Sequence, residues 1–160
     1  MTNKNIKILF LHGKEGTPEG SKPTFLRAKG HWVIAPVLPK DDWGLSIRRA
    51  KDCLDAFKPD IVVGSSRGGA IACALETGKT PKILIAPAWK HFDVKNPRVD
   101  STTTILHCAM DDLVKYGDST VLEETYGCNL VTCGSGHRMS DDHALSHLFM
   151  EIKRAVSNAT

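Results

Sequence analysis

The residues best suited to covalent chemistry lie in segment 64–69, Gly-Ser-Ser-Arg-Gly-Gly, which follows the apolar run 61–63 and precedes a helix-like segment. Its spacing matches G-x-S-x-G, a pattern that places a serine on a strained turn between a strand and a helix. The flanking glycines leave space for neighbouring backbone. The pattern predicts Ser66, rather than Ser65, as a nucleophile, and the competing interpretation is a glycine-rich helix entry without chemistry.

A serine hydroxyl is a weak nucleophile, so it needs a base and a carboxylate that orients the base. His137 follows the last predicted strand after a Gly-Ser-Gly turn and is the candidate base. Asp111 lies after the preceding predicted strand, so serine, aspartate and histidine occur in the chain order of one known triad arrangement. Asp112 is the alternative acid, or else the cap of the next helix.

Backbone N–H groups near the serine are candidates for stabilising a negatively charged oxygen. Arg67 begins the following helix, where N–H groups lack intrahelical acceptors, and we predict its N–H as one donor. Lys14 N–H is the predicted second donor. It lies in the loop after the first strand, where the preceding His12 and Gly13 let the backbone approach the substrate. We take His12, Gly13 and Trp89 as candidate substrate contacts, although a structural role for His12 competes. The Arg67 side chain either pairs with an anionic substrate group or packs against the helices.

Short apolar runs rich in isoleucine and valine alternate with longer helix-like segments, as in repeated strand and helix units around a parallel sheet. Near-continuous apolarity within the runs, without alternation, indicates a sheet covered on both faces. We predict an α/β three-layer sandwich around a reduced, mostly parallel sheet of six strands, at residues 6–11, 32–35, 61–63, 83–86, 104–107 and 130–133.

Helix start and stop signals place the beginning of the first helix at Ser21-Lys22-Pro23, with Pro23 in the first turn, and its exit at Gly30. Four more are predicted at residues 43–57, 67–78, 118–126 and 141–156, with Asp41 or Asp42 capping the first of these. The irregular segment 87–103 is either a functional cover or a surface connection that packs its own aromatic side chains. A length of 160 residues without a linker-like composition shift predicts one domain over 1–160.

Composition and charge favour a small-molecule partner. The net charge of +3, from 21 Lys and Arg against 18 Asp and Glu, is too weak and scattered to indicate nucleic-acid binding. No apolar run approaches the length of a membrane span, and the N-terminus lacks a secretory pattern, so we expect a cytoplasmic protein without membrane attachment. Five cysteines without framework spacing are typical of reduced thiols. We expect a monomer or a homodimer.

Two other site types compete with the serine chemistry. Cys128, Cys133, His137 and His143 carry good zinc ligands, but only one clean pair exists and buried thiols explain the cysteines better. The triplet Gly-Lys-Thr at 78–80 resembles the end of a phosphate-binding loop, yet Cys73 occupies the position of the required glycine. We predict no metal site.

Four segments together resemble the α/β-hydrolase superfamily over about residues 6–156: LFLHG at 9–13, GSSRGG at 64–69, MDDLV at 110–114 and GSGH at 134–137. More narrowly, the chain is similar to small lidless esterases of the YqiA type and to retinoblastoma-binding serine hydrolases. The resemblance implies cleavage of small carboxylic esters or thioesters, with no metal or organic cofactor. It also implies that the first two strands and the cap of the full fold are absent, and that Cys108 replaces a glycine common in relatives.

A binding protein on the same scaffold is the alternative function, with the pocket serving to recognise a ligand or partner chain. The intact set of serine, acid and histidine argues against this alternative, because a binding role does not require all three.

Overall fold

The computed structural model describes residues 5–160 and has a six-stranded sheet with five helices. The strands are β1 (Lys7–Leu11), β2 (Trp32–Ile34), β3 (Ile61–Ser65), β4 (Lys82–Ile85), β5 (Thr103–His107) and β6 (Asn129–Thr132). Their order in the sheet is β2-β1-β3-β4-β5-β6, and every neighbouring pair is parallel. The predicted fold class is confirmed, and the sheet is entirely parallel rather than mostly so.

The helices are α1 (Ser21–Ala28), α2 (Trp43–Phe57), α3 (Arg67–Ala74), α4 (Tyr116–Tyr126) and α5 (Asp142–Ala159). Alternate residues of β1 point to opposite faces of the sheet, so Ile8 and Phe10 enter one buried cluster while Leu9 and Leu11 enter the other. The first cluster includes residues of α1 and α5, and the second includes residues of α2, α3 and α4. Helices therefore cover both faces of the sheet.

Side-chain caps begin two of the helices. Asp42 accepts a hydrogen bond from Leu45 N–H at 2.9 Å and caps α2, which spans the predicted residues. Asp141 caps α5 by accepting from Ala144 N–H at 3.2 Å, so the predicted first helical residue is the cap itself. The end of α5 lies three residues beyond the predicted Val156.

The predicted helix over 67–78 is too long. After Ala74 the chain is extended at Leu75, whose side chain is buried. The Leu75 carbonyl accepts from Lys82 Nζ at 2.6 Å, and the Cys73 carbonyl accepts from Arg98 N–H at 2.7 Å. These acceptors are satisfied from outside the helix, so its last turn ends early.

All six parallel strands end at the same edge of the sheet, where binding sites of open α/β sheets lie. Ser66 directly follows β3, Asp111 follows β5 by four residues, and His137 follows β6 by five. The sheet topology therefore brings the segments that carry Ser66, Asp111 and His137 to the same edge, although these residues are far apart in sequence.

Segment 86–102 connects β4 to β5 and has no helix or strand of its own. Ala88 N–H donates to the Ser66 carbonyl at 3.0 Å, and the Trp89 indole N–H donates to the Asp118 carbonyl at 2.9 Å. Pro97 is buried farther along the segment. The segment is therefore held by hydrogen bonds to the turn at Ser66 and to α4.

The cysteines do not gather into a ligand set. Cys128 belongs to the buried cluster on one face of the sheet and Cys133 to the cluster on the other. Within residues 5–160 no group of three or more His, Cys, Asp or Glu side chains is arranged to hold a metal ion. Over the same residues, no helix has the length and apolarity needed to cross a membrane.

Candidate active site

Ser66 lies on a strained turn between β3 and α3. Its backbone has φ 54° and ψ −111°, which a residue other than glycine rarely adopts. The turn is held by hydrogen bonds from Ser66 N–H to the Ile85 carbonyl at 2.8 Å and from Ala70 N–H to the Ser66 carbonyl at 3.1 Å. This geometry lifts the Ser66 side chain out of the sheet edge at the start of a helix.

The glycines around Ser66 permit close backbone contacts. A Cβ at Gly68 would lie 2.0 Å from the Leu11 carbonyl oxygen, and one at Gly64 would lie 2.4 Å from the Gly68 carbonyl oxygen. Backbone atoms cannot move away as the end of a side chain can. The turn at Ser66 therefore requires glycine at both positions.

We expect Gly68→Ala to lower the free energy of unfolding by about 3 kcal/mol or more, because the added methyl group overlaps the β1 backbone. Urea denaturation followed by circular dichroism measures the change. Gly117→Ala is the matched control, since nothing lies within 4 Å of a Cβ at this α4 position. The control should change stability by at most about 1 kcal/mol, in the stabilising direction. Equal effects of the two variants would contradict the steric explanation.

Ser66, His137 and Asp111 form a hydrogen-bonded chain. His137 Nε2 lies 3.1 Å from Ser66 Oγ, and His137 Nδ1 lies 2.7 Å from Asp111 Oδ2. A ring that donates from Nδ1 to the carboxylate leaves Nε2 free to accept from the hydroxyl. The structure thus brings the three predicted residues together. Asp112 is exposed, and it does not cap α4, which begins after Lys115.

The Asp111 carboxylate is buried and accepts four hydrogen bonds. Oδ1 accepts from Leu113 N–H at 2.8 Å and from Val114 N–H at 2.9 Å, while Oδ2 faces both His137 and His107. Burial by itself raises the pKa of Asp111, but the hydrogen bonds from His137, Val114 and Leu113 outweigh it and hold that pKa below its usual range. The carboxylate is therefore ionised at neutral pH.

His107, the last residue of β5, is a site residue that the sequence analysis did not single out. Its Nε2 lies 3.0 Å from Asp111 Oδ2 and 3.1 Å from the Val114 carbonyl, which are both acceptors, so Nε2 carries the proton. Its Nδ1 accepts from Ser119 Oγ at 2.6 Å. Burial lowers the pKa of His107, so the ring is neutral. The sequence did carry a signal for His107, because it is a polar residue at the end of a predicted strand and lies four residues before Asp111.

We expect the free energy of unfolding to fall as the pH drops below about 6.5, because unfolded chains protonate histidines that are kept neutral by burial. The pKa of His107 is lowered by burial, so this residue adds up to about 1.4 kcal/mol per pH unit, and the lowered pKa of the less buried His31 acts in the same direction. Urea denaturation between about pH 7.5 and pH 5 measures the slope. His107→Phe should flatten it, whereas His143→Gln, at an exposed position, should not. An unchanged slope in His107→Phe would contradict this explanation.

The loop after β1 orients the peptide between Gly13 and Lys14. The Gly13 carbonyl accepts from His12 Nδ1 at 2.7 Å and from Gly16 N–H at 3.0 Å. In a trans peptide the next N–H, that of Lys14, points the opposite way from this carbonyl. His12 Nε2 in turn accepts from Leu38 N–H at 3.0 Å. Both His12 nitrogens are engaged, so its side chain has a structural role, although the residue lines the cleft.

The Arg67 side chain packs within the protein. It is 1% exposed, and its Nη2 donates to the Pro39 carbonyl at 3.0 Å and to Ser46 Oγ at 3.1 Å. The guanidinium carbon lies 5.5 Å from the centre of the Trp43 ring and 5.7 Å from that of Phe92, which are cation–π distances. The packing interpretation of this side chain therefore fits better than direct pairing with substrate. Its backbone N–H, at the start of α3, has no intrahelical acceptor.

Ser66 and His137 open onto a cleft of about 640 Å³, which Gly13, Lys14 and Arg67 also line. Segment 86–102 contributes Ala88, His91 and Phe92 to its walls. Trp89, predicted to contact substrate, is not among the residues that line this cleft. The Trp89 side chain is in the core and is fixed by its hydrogen bond to α4. A second cavity of about 500 Å³ opens at the opposite edge of the sheet, near the starts of β4 and β5.

Neither a protein-family model nor a curated protein matches the sequence. Solved structures do resemble it. Alpha/beta hydrolase domain-containing protein 10 from mouse superposes with a TM-score of 0.76 at 17% identity, covering 100% of this chain and 93% of that one. Est1E from Butyrivibrio proteoclasticus gives 0.73 at 17%, covering 99% and 89%. An esterase domain from Rhodothermus marinus gives 0.62 at 16%, covering 96% and 86%.

One of these structures is named an alpha/beta hydrolase domain protein and another an esterase domain, and the similarity extends over nearly the whole chain. They do not distinguish the YqiA type or the retinoblastoma-binding type within it. At identities below 20%, the similarity reports the fold. Together with the turn at Ser66 and the all-parallel sheet, it shows that this chain has the α/β-hydrolase fold.

Proposed function

We propose that the protein is a serine hydrolase that cleaves small carboxylic esters or thioesters through an acyl-enzyme intermediate. The observation that carries this proposal is the hydrogen-bonded chain from Ser66 Oγ through His137 to Asp111 at the wall of a cleft. A protein that only binds a ligand has no need for this alignment, so the chain favours catalysis over binding.

In the proposed reaction, Ser66 Oγ attacks the substrate carbonyl carbon while His137 Nε2 takes the hydroxyl proton. We assign the N–H groups of Arg67 and Lys14 to the resulting oxyanion, because Arg67 begins α3 and the Lys14 N–H belongs to the peptide whose Gly13 carbonyl is held by two hydrogen bonds. His137 then protonates the departing alcohol or thiol, leaving an acyl group on Ser66. A water molecule, activated by the same ring, releases the carboxylic acid. Asp111 stays ionised throughout and stabilises the imidazolium.

Two structural relatives support the ester class. The Rhodothermus marinus domain is described as an esterase, and Est1E has been solved with ferulic acid bound. The cleft of about 640 Å³ accommodates a small ester, and its apolar walls include Phe92, Leu113 and Val114. We propose short acyl esters and the matching thioesters as substrates.

A panel of p-nitrophenyl esters with acyl chains of increasing length tests the proposal, together with thioesters and anilides of the same acids. We expect turnover of the short esters, turnover of the thioesters, and no turnover of the anilides, whose nitrogen leaving group is poorer. Mass spectrometry of a rapidly quenched reaction should detect the acyl group on the peptide that contains Ser66. Hydrolysis without such an adduct, or no ester hydrolysis by folded protein, would reject the mechanism.

We further propose that His107 holds the Asp111 carboxylate in place. His107→Phe should lower kcat by about tenfold to a hundredfold with little change in KM, because a hydrogen bond to a charged group is lost. His107→Gln, which keeps a donor and an acceptor, should recover part of this loss. Steady-state kinetics on the best ester measures both. An increase in KM with unchanged kcat would show that His107 does not act through Asp111.

A further inference from the structure

One wall of the cleft has positive charge without a compensating carboxylate. Lys22 Nζ donates to the Arg138 carbonyl, and both residues line the cleft beside His137. Among residues 5–160, neither side chain forms an ion pair with Asp or Glu. Burial, together with the nearby charge of Arg138, lowers the pKa of Lys22 to about 8. The two cations thus repel each other where an anion would relieve the repulsion.

The start of α1 adds to this charge. Gly20 caps the helix without a side-chain hydrogen bond, and no acidic residue occupies the first turn. Residues 20–23 line the cleft, so the free N–H groups and the positive end of the helix dipole open onto the same space as Lys22.

The remaining charged residues of the cleft do not cancel it. Its lining includes three basic residues with at least partly exposed side chains, Lys14, Lys22 and Arg138, and one acidic residue, Glu15. Arg67 also lines the cleft, but its guanidinium is buried and packs against Trp43 and Phe92. The cleft as a whole is therefore suited to an anionic ligand.

The position of the two cations indicates which part of a substrate they face. In the proposed reaction His137 protonates the departing oxygen, so the alcohol part of the ester must lie on the His137 side of Ser66. Arg138 directly follows His137, and Lys22 contacts the Arg138 backbone. The cations lie beside the departing alcohol rather than beside the acyl group.

We propose that the cleft selects esters whose alcohol part carries an anionic group such as a carboxylate, with Lys22 and Arg138 as the specificity-determining residues. This inference rests on the proposed serine hydrolase function and specifies its substrate class. Hydrolysis of such an ester releases the acyl acid and a hydroxy compound that still carries the anion.

The test compares 3-acetoxybenzoate with 3-acetoxybenzamide, which share an acetyl group and a phenol leaving group and differ in charge. We expect wild-type kcat/KM to be about tenfold or more higher for the carboxylate, which corresponds to one modest ionic contact. Lys22→Gln and Arg138→Gln should each lower this ratio by about threefold to tenfold. Raising the ionic strength from about 20 mM to about 300 mM should also lower it.

Two comparisons serve as controls. Lys51→Gln removes a positive charge from an exposed position of α2 outside the cleft and should leave the ratio unchanged. On the acyl side, the p-nitrophenyl monoester of adipic acid and its terminal amide should be hydrolysed equally well. A wild-type ratio near one, an equal effect of Lys51→Gln, or a preference for charge on the acyl side would overturn the inference.

A binding measurement separates this inference from the proposed function. In Ser66→Ala protein, calorimetry should show 3-hydroxybenzoate binding about tenfold more tightly than 3-hydroxybenzamide, and Lys22→Gln should lower this difference by about threefold to tenfold. If esters are not hydrolysed but the difference in binding persists, the hydrolase proposal fails while the anion site stands. If esters are hydrolysed without any preference for charge in either assay, the anion site fails alone.

Discussion

Ser66→Ala is expected to reduce kcat/KM for the best ester by about 10⁴-fold to 10⁶-fold, because no other group at this position can form the acyl-enzyme. The hydroxyl lies 3.1 Å from His137 Nε2, on a turn whose strained backbone fixes its direction. The fold should be unaffected, since alanine removes one partly exposed oxygen atom. Steady-state hydrolysis and covalent labelling by a fluorophosphonate probe, read by intact mass, measure the loss.

Ser65→Ala is the matched control for this prediction. Ser65 is the neighbouring serine and the last residue of β3, and neither His137 nor Asp111 forms a hydrogen bond with its side chain. We expect Ser65→Ala to keep both labelling and most of the hydrolysis. Labelling that persists in Ser66→Ala, or that disappears only in Ser65→Ala, would show that the nucleophile has been assigned incorrectly.

Asp111→Asn is expected to lower kcat by about 10⁴-fold at neutral pH, the second large effect. The Asp111 carboxylate is the acceptor in all four of its hydrogen bonds. The N–H₂ group of an asparagine would therefore have to face at least one group that donates a hydrogen bond to the carboxylate. If the amide faces His137, the ring has to present its unprotonated Nδ1, and Nε2 then carries a proton and cannot accept one from Ser66. If it faces Leu113 and Val114 instead, the loop is destabilised.

Asp112→Asn provides the control, because this neighbouring carboxylate is exposed and has no hydrogen bond to the site. We expect less than about a twofold change in kcat for this variant. Circular dichroism and urea denaturation must accompany both measurements, so that a loss of folding in Asp111→Asn is recognised. Normal activity in folded Asp111→Asn, or a large loss in Asp112→Asn, would rule out Asp111 as the orienting acid.

The strands were the most predictable elements. The β1 and β3 runs are largely apolar, with Lys7 as the one charged residue, because both faces of the sheet are covered, and their observed bounds lie within two residues of the predicted ones. The α2 start was also readable, since Asp42 is a local cap. The α3 end was not, because the acceptors that terminate it bond to Lys82 and Arg98, which approach from other parts of the chain.

In the site too, features set by local sequence could be predicted, whereas features set by tertiary contacts could not. G-x-S-x-G describes a local turn, and its physical requirement for glycine can be read from neighbouring residues alone. Trp89 was assigned to the substrate on the composition of its loop, whereas the direction of its side chain depends on Asp118 of α4, 29 residues away in the chain. His107, the second histidine that contacts Asp111, was not predicted for a similar reason. The sequence of a strand does not show which segment its last side chain will meet.

By itself, the sequence determined the alternation of strands and helices, the strained turn at Ser66 and the chain order of Ser66, Asp111 and His137, because these depend on short-range sterics and periodicity. Only the tertiary structure decided that His107 and His137 share one carboxylate oxygen, that Arg67 is packed beneath two aromatic rings, and that Lys22 meets Arg138 beside the cleft. Those contacts join residues from separate segments, and their distances are set by how the helices pack on the sheet.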